Sequence, residues 1–460
     1  AAAASADSLD WAFDVTGFAE SADRGKILVA DEWAGFITYD YQKTNGYTIG
    51  HAQDYRWAVA AAMTEGITLF EDRLYIADRG AGVWSADRFD MANAADWRSV
   101  PWEWTFAEPQ PHPISGLAVR RDPQRGVLIA ALGHDKAMAW GTMVYALLYQ
   151  ETDDEIQLLT ISEELDPPGL WSTGLDVLWP EPDLVYMVTG TDGFRAYVVN
   201  PEAPSISLHK DCSTQGFGAG IFSDLNLANC MSDCTIGGNY KILVGSKPGF
   251  LVSSPTLHLF HVDYPEGVPD RHHPDRPIVV SLENALKCSD FKTVNQLDIR
   301  PSGLVAAATG QEIALFNLAW IADLNSQWAP LAWNRIRIPT AAYEPWWHNG
   351  WTNSFRDVCF ASDTSLYAVR TPDGVWRVEF SIEEGARTHS ATASAFYPGV
   401  QCGIDLTHML QGWGNPDVVT LHHPYGLAPD GDSVYVTGWS GKVQRLQMHK
   451  AAARRAWQLY

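Results

Sequence analysis

The chain has 460 residues, and its 55 acidic against 32 basic side chains give a formal net charge of −23. A field of that sign repels nucleic acid and anionic lipid, so neither is expected as a partner, and no run of about 18 apolar residues is present to cross a membrane as a helix. Hydrophobic residues make up 46%, enough for a large core, and 20 Trp point to aromatic packing or to flat platforms for rings.

The opening residues, AAAASADSLD, carry neither a basic stretch nor an apolar stretch and read as the end of a mature chain rather than a signal peptide. Beyond them, short β-rich segments recur, each with two strands around a Gly or Asp turn. In chain order they are KILVADEWAGFITYDY from Lys26, RLYIADRGAGVWSADR from Arg73, GVLIAALGHDKAMAWGTMVYALLY from Gly126 and DLVYMVTGTDGFRAYVV from Asp183. They continue with YKILVGSKPGFLVSSPTLHLFHV from Tyr240, GLVAAATGQEIALFNLA from Gly303, SLYAVRTPDGVWRVEF from Ser365 and SVYVTGWSGKVQRLQM from Ser433. Each alternates apolar and polar residues, or runs apolar briefly, and breaks at Gly, which is the hairpin signature. Most follow another strand that ends in a turn, such as SGLAVRRDPQRG, NQLDIRPSG and YGLAPDGDS. Equivalent strands recur roughly every 40–75 residues, the range of propeller blades. Helical periodicity is weak, and the best candidates, IADLNSQWAPLAW and HKAAARRAW, are short.

The pattern Gly-Leu-Ala, then Asp, then Val-Tyr-Val, then a Gly turn and a polar-apolar strand resembles a blade of the NHL and gluconolactonase/strictosidine-synthase-like β-propellers. Tyr425–Met448 carries it most fully, and the segments at Arg73, Asp183 and Ser365 carry it in part. The resemblance implies an all-β fold: residues 1–460 as a single β-propeller domain of seven or eight four-stranded blades, with long loops on one face. Eight hairpins are countable. Seven blades result if the first and last segments share one blade, with the strand around DWAFDVTGF closing the ring. Trp84, Trp376, Tyr75 and Tyr186 sit at alternating strand positions and are expected between blades.

In such a fold two sets of loops meet at one mouth: those joining blades, and those joining the second and third strands within a blade. His112 and His423 open HPISGLAV and HPYGLA; Gly-Leu-Ala belongs to the repeat, whereas His-Pro is absent from the other blades. A lone His before Pro is often only an extended residue, and Asp192-Gly193 is ordinary turn chemistry. The coincidence of many such groups carries more weight. His112, His134, His348, His423, Tyr425 and Arg79 are the candidate catalytic residues. His51, Arg56, Trp33, Trp347, Arg370 and Trp439 are the candidate substrate-binding residues. His272-His273 lies in a Pro- and charge-rich stretch and is assigned to an outer loop.

Trp faces suit pyranose rings, Arg pairs a uronate carboxylate, and His or Tyr can remove the proton alpha to it. That inventory leads to a secreted polysaccharide lyase, resembling the propeller-fold lyases, acting by β-elimination on a uronic-acid-containing oligo- or polysaccharide, as a monomer. One alternative is a lactonase-like enzyme with axial calcium, for which Asp176, Asp298 and Asp357 recur at the starts of inner strands. Hydrogen bonding between blades is the preferred role for these three. The other alternative is a non-catalytic glycan- or protein-binding propeller. No metal ligand is assigned; no cofactor is certain, and calcium is the candidate. No G-x-S-x-G elbow, phosphate loop or dinucleotide fingerprint is present. Of the six Cys, Cys359 is expected as a buried thiol. Cys212, Cys230 and Cys234 are placed in a Gly/Ser/Asn-rich insertion and expected, with Cys402, to form one or two disulfides.

Overall fold

A strand buried on both faces has no polar side to show, and several segments read that way: LVYMV at 184–188 and LVAAA at 304–308 are apolar throughout. In the computed structural model both are buried along their whole length. Residues 1–11, 57–63, 88–97, 101–111, 135–143, 163–175, 324–333, 338–353, 382–389, 396–423 and 448–460 lie outside the described residues, as do shorter stretches such as 32–34, 79–81 and 439–441. For the strands of 12–56, and for most of 354–447, the backbone alone is described.

Among the described residues the strands form small antiparallel meanders in strict chain order, over 12–56, 64–99, 114–161, 177–208, 227–287, 296–337, 354–395 and 424–447. The last has three strands and the others four. One short helix, Leu318–Asp323, follows a strand of the sixth sheet, and no described helix is long and apolar enough to cross a membrane.

The sheets stack through their faces. Tyr75 and Ala77 of the second pack on Ile129, Ala131 and Leu147 of the third. Leu128 and Ala130 on its other face meet Met187 and Tyr197 of the fourth. Tyr186 and Phe194 then meet Ile242 and Phe260 of the fifth, Leu243 and Leu259 meet Val305 and Phe316 of the sixth, and Ala306 meets Val358 of the seventh. Ala428 of the last sheet packs on Leu74 and Ile76 of the second. Each large aliphatic or aromatic side chain among these, fully buried, contributes roughly 1.5–3 kcal/mol, and each alanine methyl less, and no sheet could enclose both faces alone. The first strands of successive sheets are neighbours from Thr64–Phe70 onward, and Pro424–Asp430 lies beside both Ser354–Ser362 and Thr64–Phe70. The arrangement is a β-propeller. The N-terminal strand Ala12–Ala19 runs beside Lys442–Gln447, the outer strand of the last sheet.

Polar ties add to this packing. The Glu151 carboxylate is buried between the second and third sheets, with Arg73 Nε at 2.9 Å and Arg98 Nη1 at 3.1 Å. Tyr75 and Ser85 each donate a hydroxyl to it at 2.5 Å. Arg276, from the outer stretch that holds His272 and His273, pairs with buried Asp183 of the fourth sheet at 2.6 Å.

Two expectations are corrected. The stretch read as an insertion contains Leu227–Ile236, the first strand of the fifth sheet. Its cysteines, Cys212, Cys230 and Cys234, are buried thiols, not disulfides, and Cys288 and Cys359 are likewise buried and unbridged. Cys230 and Cys234 stand four residues apart on one strand, about 13 Å, well beyond disulfide reach of about 7 Å. Cys212 sits in the core on the opposite side of that sheet. Cys402 lies outside the described residues.

Candidate functional site at the His112 rim

In a meander, the start of the first strand, the end of the second and the start of the third share one edge. In the third sheet that edge carries His112, His134 and Tyr145. Pro113 fixes the entry into Ile114–Asp122, and its carbonyl accepts the His134 amide at 2.9 Å. Ser115 is an extra residue in the ladder, because Leu132 pairs with Gly116 and Gly133 with Ile114. A bulge of this kind re-aims the side chains around it. Gly133 is required here: a Cβ would meet Tyr145 Cε2 at 2.7 Å and lie closer still to Leu147 Cδ1. Its absence lets the Tyr145 ring lie flat against the second strand.

The Tyr145 hydroxyl donates its proton to the His134 carbonyl at 2.5 Å. His112 Nδ1 stands 3.0 Å from the same oxygen, with the rings edge to face. Since the phenol has one proton and it is committed, His112 Nδ1–H is the donor in that bond. Nε2 therefore carries the lone pair of the His112 ring, and this nitrogen is enclosed by the fold. His112 is half-buried and Tyr145 is nearly enclosed. His134 is fully buried, with Nε2 2.7 Å from Ser115 Oγ. His134 thus serves the site through its backbone carbonyl and by holding the bulge, without reaching solvent.

The same rim recurs around the ring. Gly190, after the second strand of the fourth sheet, bridges to Ala228 at the start of the fifth, and Gly310 bridges likewise to Phe355. Asp176, half-buried before Val177–Glu181, accepts the Met231 amide and the Gln296 side-chain amide, each at 2.8 Å. It thereby ties three successive sheets, and its enclosure pushes its carboxyl up to about 6. Asp298 accepts the Phe360 amide of the next sheet at 2.6 Å. These two carboxylates act between blades, the preferred role for them. Asp357 accepts the neighbouring Val358 amide at 2.7 Å. Among the described residues no cluster of three His, Cys, Asp or Glu is placed to hold a metal ion.

Of the predicted site residues, His112 and His134 are brought together. Tyr425, His51, Arg56 and Arg370 lie in described strands whose side chains are not described, and Arg79, His348, His423, Trp33, Trp347 and Trp439 lie outside the described residues. Sequence reasoning missed Tyr145, Ser115 and Arg195. Tyr145 reads as one more apolar strand residue; its place at the start of Val144–Glu151, the strand after Gly133 and His134, was the available signal.

Fold and rim together define a β-propeller with a His–Tyr pair at its loop-bearing edge. No family model matches the sequence, and no curated protein matches it. Among solved structures the chain is similar to Sqt1 from Chaetomium thermophilum, with a TM-score of 0.49 at 13% identity over 96% of this chain and 98% of that one. The same protein bound to the N-terminus of the ribosomal protein L10 gives 0.48 at 12% over 96% and 98%. A putative 6-phosphogluconolactonase from Bacteroides uniformis ATCC 8492 gives 0.44 at 14% over 85% and 93%.

Proposed function

We propose that this chain is a carbohydrate-active enzyme, a polysaccharide lyase cleaving a uronic-acid-containing glycan by β-elimination. The observation that carries the reading is the His112–Tyr145 pair: a half-buried imidazole hydrogen-bonded through Nδ1 to a phenol at the rim of the sheet. In the reaction the His112 imidazole takes the proton alpha to the carboxylate, for which its ring must turn, because Nε2 is enclosed as the chain stands. The carbon–hydrogen electron pair becomes the new double bond as the bond to the glycosidic oxygen breaks, and that oxygen takes a proton from a second group. His348, His423 and Tyr425 are the candidates for that acid. Tyr145 and His134 are positioning residues. The reading includes secretion, a monomer, and one domain spanning 1–460. It takes the ring as seven blades, with Ala12–Ala19 completing the last as its fourth strand, because those strands are neighbours and Pro424–Asp430 already meets Thr64–Phe70.

The test is incubation with a broad panel of uronate-containing glycans, monitored by the ultraviolet absorbance of the unsaturated product. Activity on at least one glycan is expected, with a loss of roughly 100-fold or more in His112→Ala and an unchanged melting temperature. No product across the panel would refute the reading.

A further inference from the structure

Arg195 is the second residue of Phe194–Asn200, at the same rim as His112 but in the neighbouring sheet, and it is 2% exposed. A guanidinium presents five N–H donors in one plane. Asp192 accepts from Nη2 at 3.0 Å. Nε and Nη1 are buried and have no hydrogen-bond partner among the described residues. Two positions along the same strand face stands Tyr197, fully buried, whose hydroxyl is also without a partner among them. The two side chains are close enough for the Arg195 charge to act on the Tyr197 hydroxyl. Buried donors left unmade destabilise a fold, and native structures keep few of them without a reason beyond stability.

The surroundings are built closely. Phe217 joins Phe194 through two backbone hydrogen bonds of 2.8 and 3.1 Å. A Cβ on Gly216 would meet the Phe194 carbonyl at 2.5 Å and Arg195 Cγ at 3.0 Å, and one on Gly193, at φ +70°, would run into the Phe217 carbonyl. Backbone therefore packs against the stem of the Arg195 side chain at a distance only glycine permits. On the other side Tyr197 packs with Leu132 and Val144 of the sheet that carries His112. Asp192 is the most exposed member of the group, its side chain 20% accessible against 3% for Arg195.

The unmatched groups are two guanidinium donors and a hydroxyl. An acceptor-rich planar group, a carboxylate, matches such a set. We propose that Arg195 and Tyr197 form the anchoring site for a carboxylate-bearing ligand, entered past Asp192. The inference deepens the proposed function and rests on it for the identity of the carboxylate, that of a uronate unit.

The experiment is calorimetric titration of the full chain with glucuronate, with glucose as the uncharged twin, alongside melting curves. Glucuronate should bind at least about tenfold more tightly than glucose, as a charge-assisted pair requires. Arg195→Met should lose that preference while melting higher without ligand, since a buried charge gives way to an apolar chain of similar length. Tyr197→Phe should weaken glucuronate binding several-fold and keep its melting temperature. Glucuronate binding unchanged in Arg195→Met, or in Tyr197→Phe where the Met variant does not fold, would overturn the proposal. A chain that binds glucuronate through Arg195 yet forms no unsaturated product would remove the lyase reading and leave this site standing.

Discussion

Tyr145 donates to a carbonyl, and that single bond decides the tautomer of His112. Tyr145→Phe removes the phenol from both partners at once. The buried His134 carbonyl loses its donor, which should cost about 1–3 kcal/mol, readable as a shift in the urea midpoint. His112 becomes free to exchange tautomers, so the proposed lyase activity should fall more than binding does, with a changed pH profile. A uniform loss at every pH would point to packing alone. Asp176 offers a second residue-scale prediction. Its carboxyl stands at about 6 in the fold against an ordinary 3.8. Between those values the folded chain holds a proton that the unfolded chain has released. Stability from this group is therefore gained as pH falls from 6 toward 4, and its charge is a burden above 6. The gain has a ceiling of about 3 kcal/mol, lowered by the partial exposure of the side chain. Asp176→Asn should remove it: the wild-type advantage over the variant should grow between pH 7 and pH 4. A difference that stays flat with pH would show that Asp176 carries an ordinary carboxyl.

At the scale of strands and sheets, the decisive contacts join positions distant in sequence. Glu151 ends one strand of the third sheet, yet its partners Ser85 and Tyr75 stand 66 and 76 positions away in the second. Glu151→Ala should destabilise the protein by roughly 2–4 kcal/mol, since it takes a buried carboxylate away from two partly buried guanidinium groups and two hydroxyls. Denaturant unfolding checks this, and a loss under about 1 kcal/mol would assign the network to a solvated surface. The hairpins were legible in the sequence because alternation and Gly breaks are local signals. Glu151 was not, because a carboxylate at a strand end looks the same whether it faces water or two arginines. Leu227–Ile236 escaped for a related reason. Its Asn229 donates to the Val294 and Asn295 carbonyls of the next sheet, and Met231 N is held by Asp176. A strand that bonds sideways to its neighbours carries polar residues where the apolar run is sought. At the rim, the His-Pro of His112 was visible as an exception to a repeat. Arg195 was hidden beside the Asp192-Gly193 turn, whose residues suffice to explain themselves as turn chemistry.

For the whole molecule, a ring has no free edge only where its last sheet is completed. The last sheet has three strands of its own, ending at Lys442–Gln447, and Ala12–Ala19 lies beside that edge. The ring is closed where Pro424–Asp430 meets Thr64–Phe70; in the proposed seven-bladed reading a strand from the opposite end of the chain covers the outer edge of the last sheet, and the ends then hold each other against fraying. An unpaired edge strand presents a ladder of unmet backbone groups, a template for other chains. A chain beginning at Arg24 lacks that closing strand and exposes Lys442–Gln447. It should melt several degrees lower, with a broader transition, and should associate as concentration rises, which sedimentation and melting curves together would detect. Adding the peptide of residues 12–23 in excess should restore part of the loss, because a ligand that binds only the folded chain stabilises it by mass action. If the shortened chain melts as the full one does and remains monomeric, the closing strand is not Ala12–Ala19 and the seven-bladed reading falls with it.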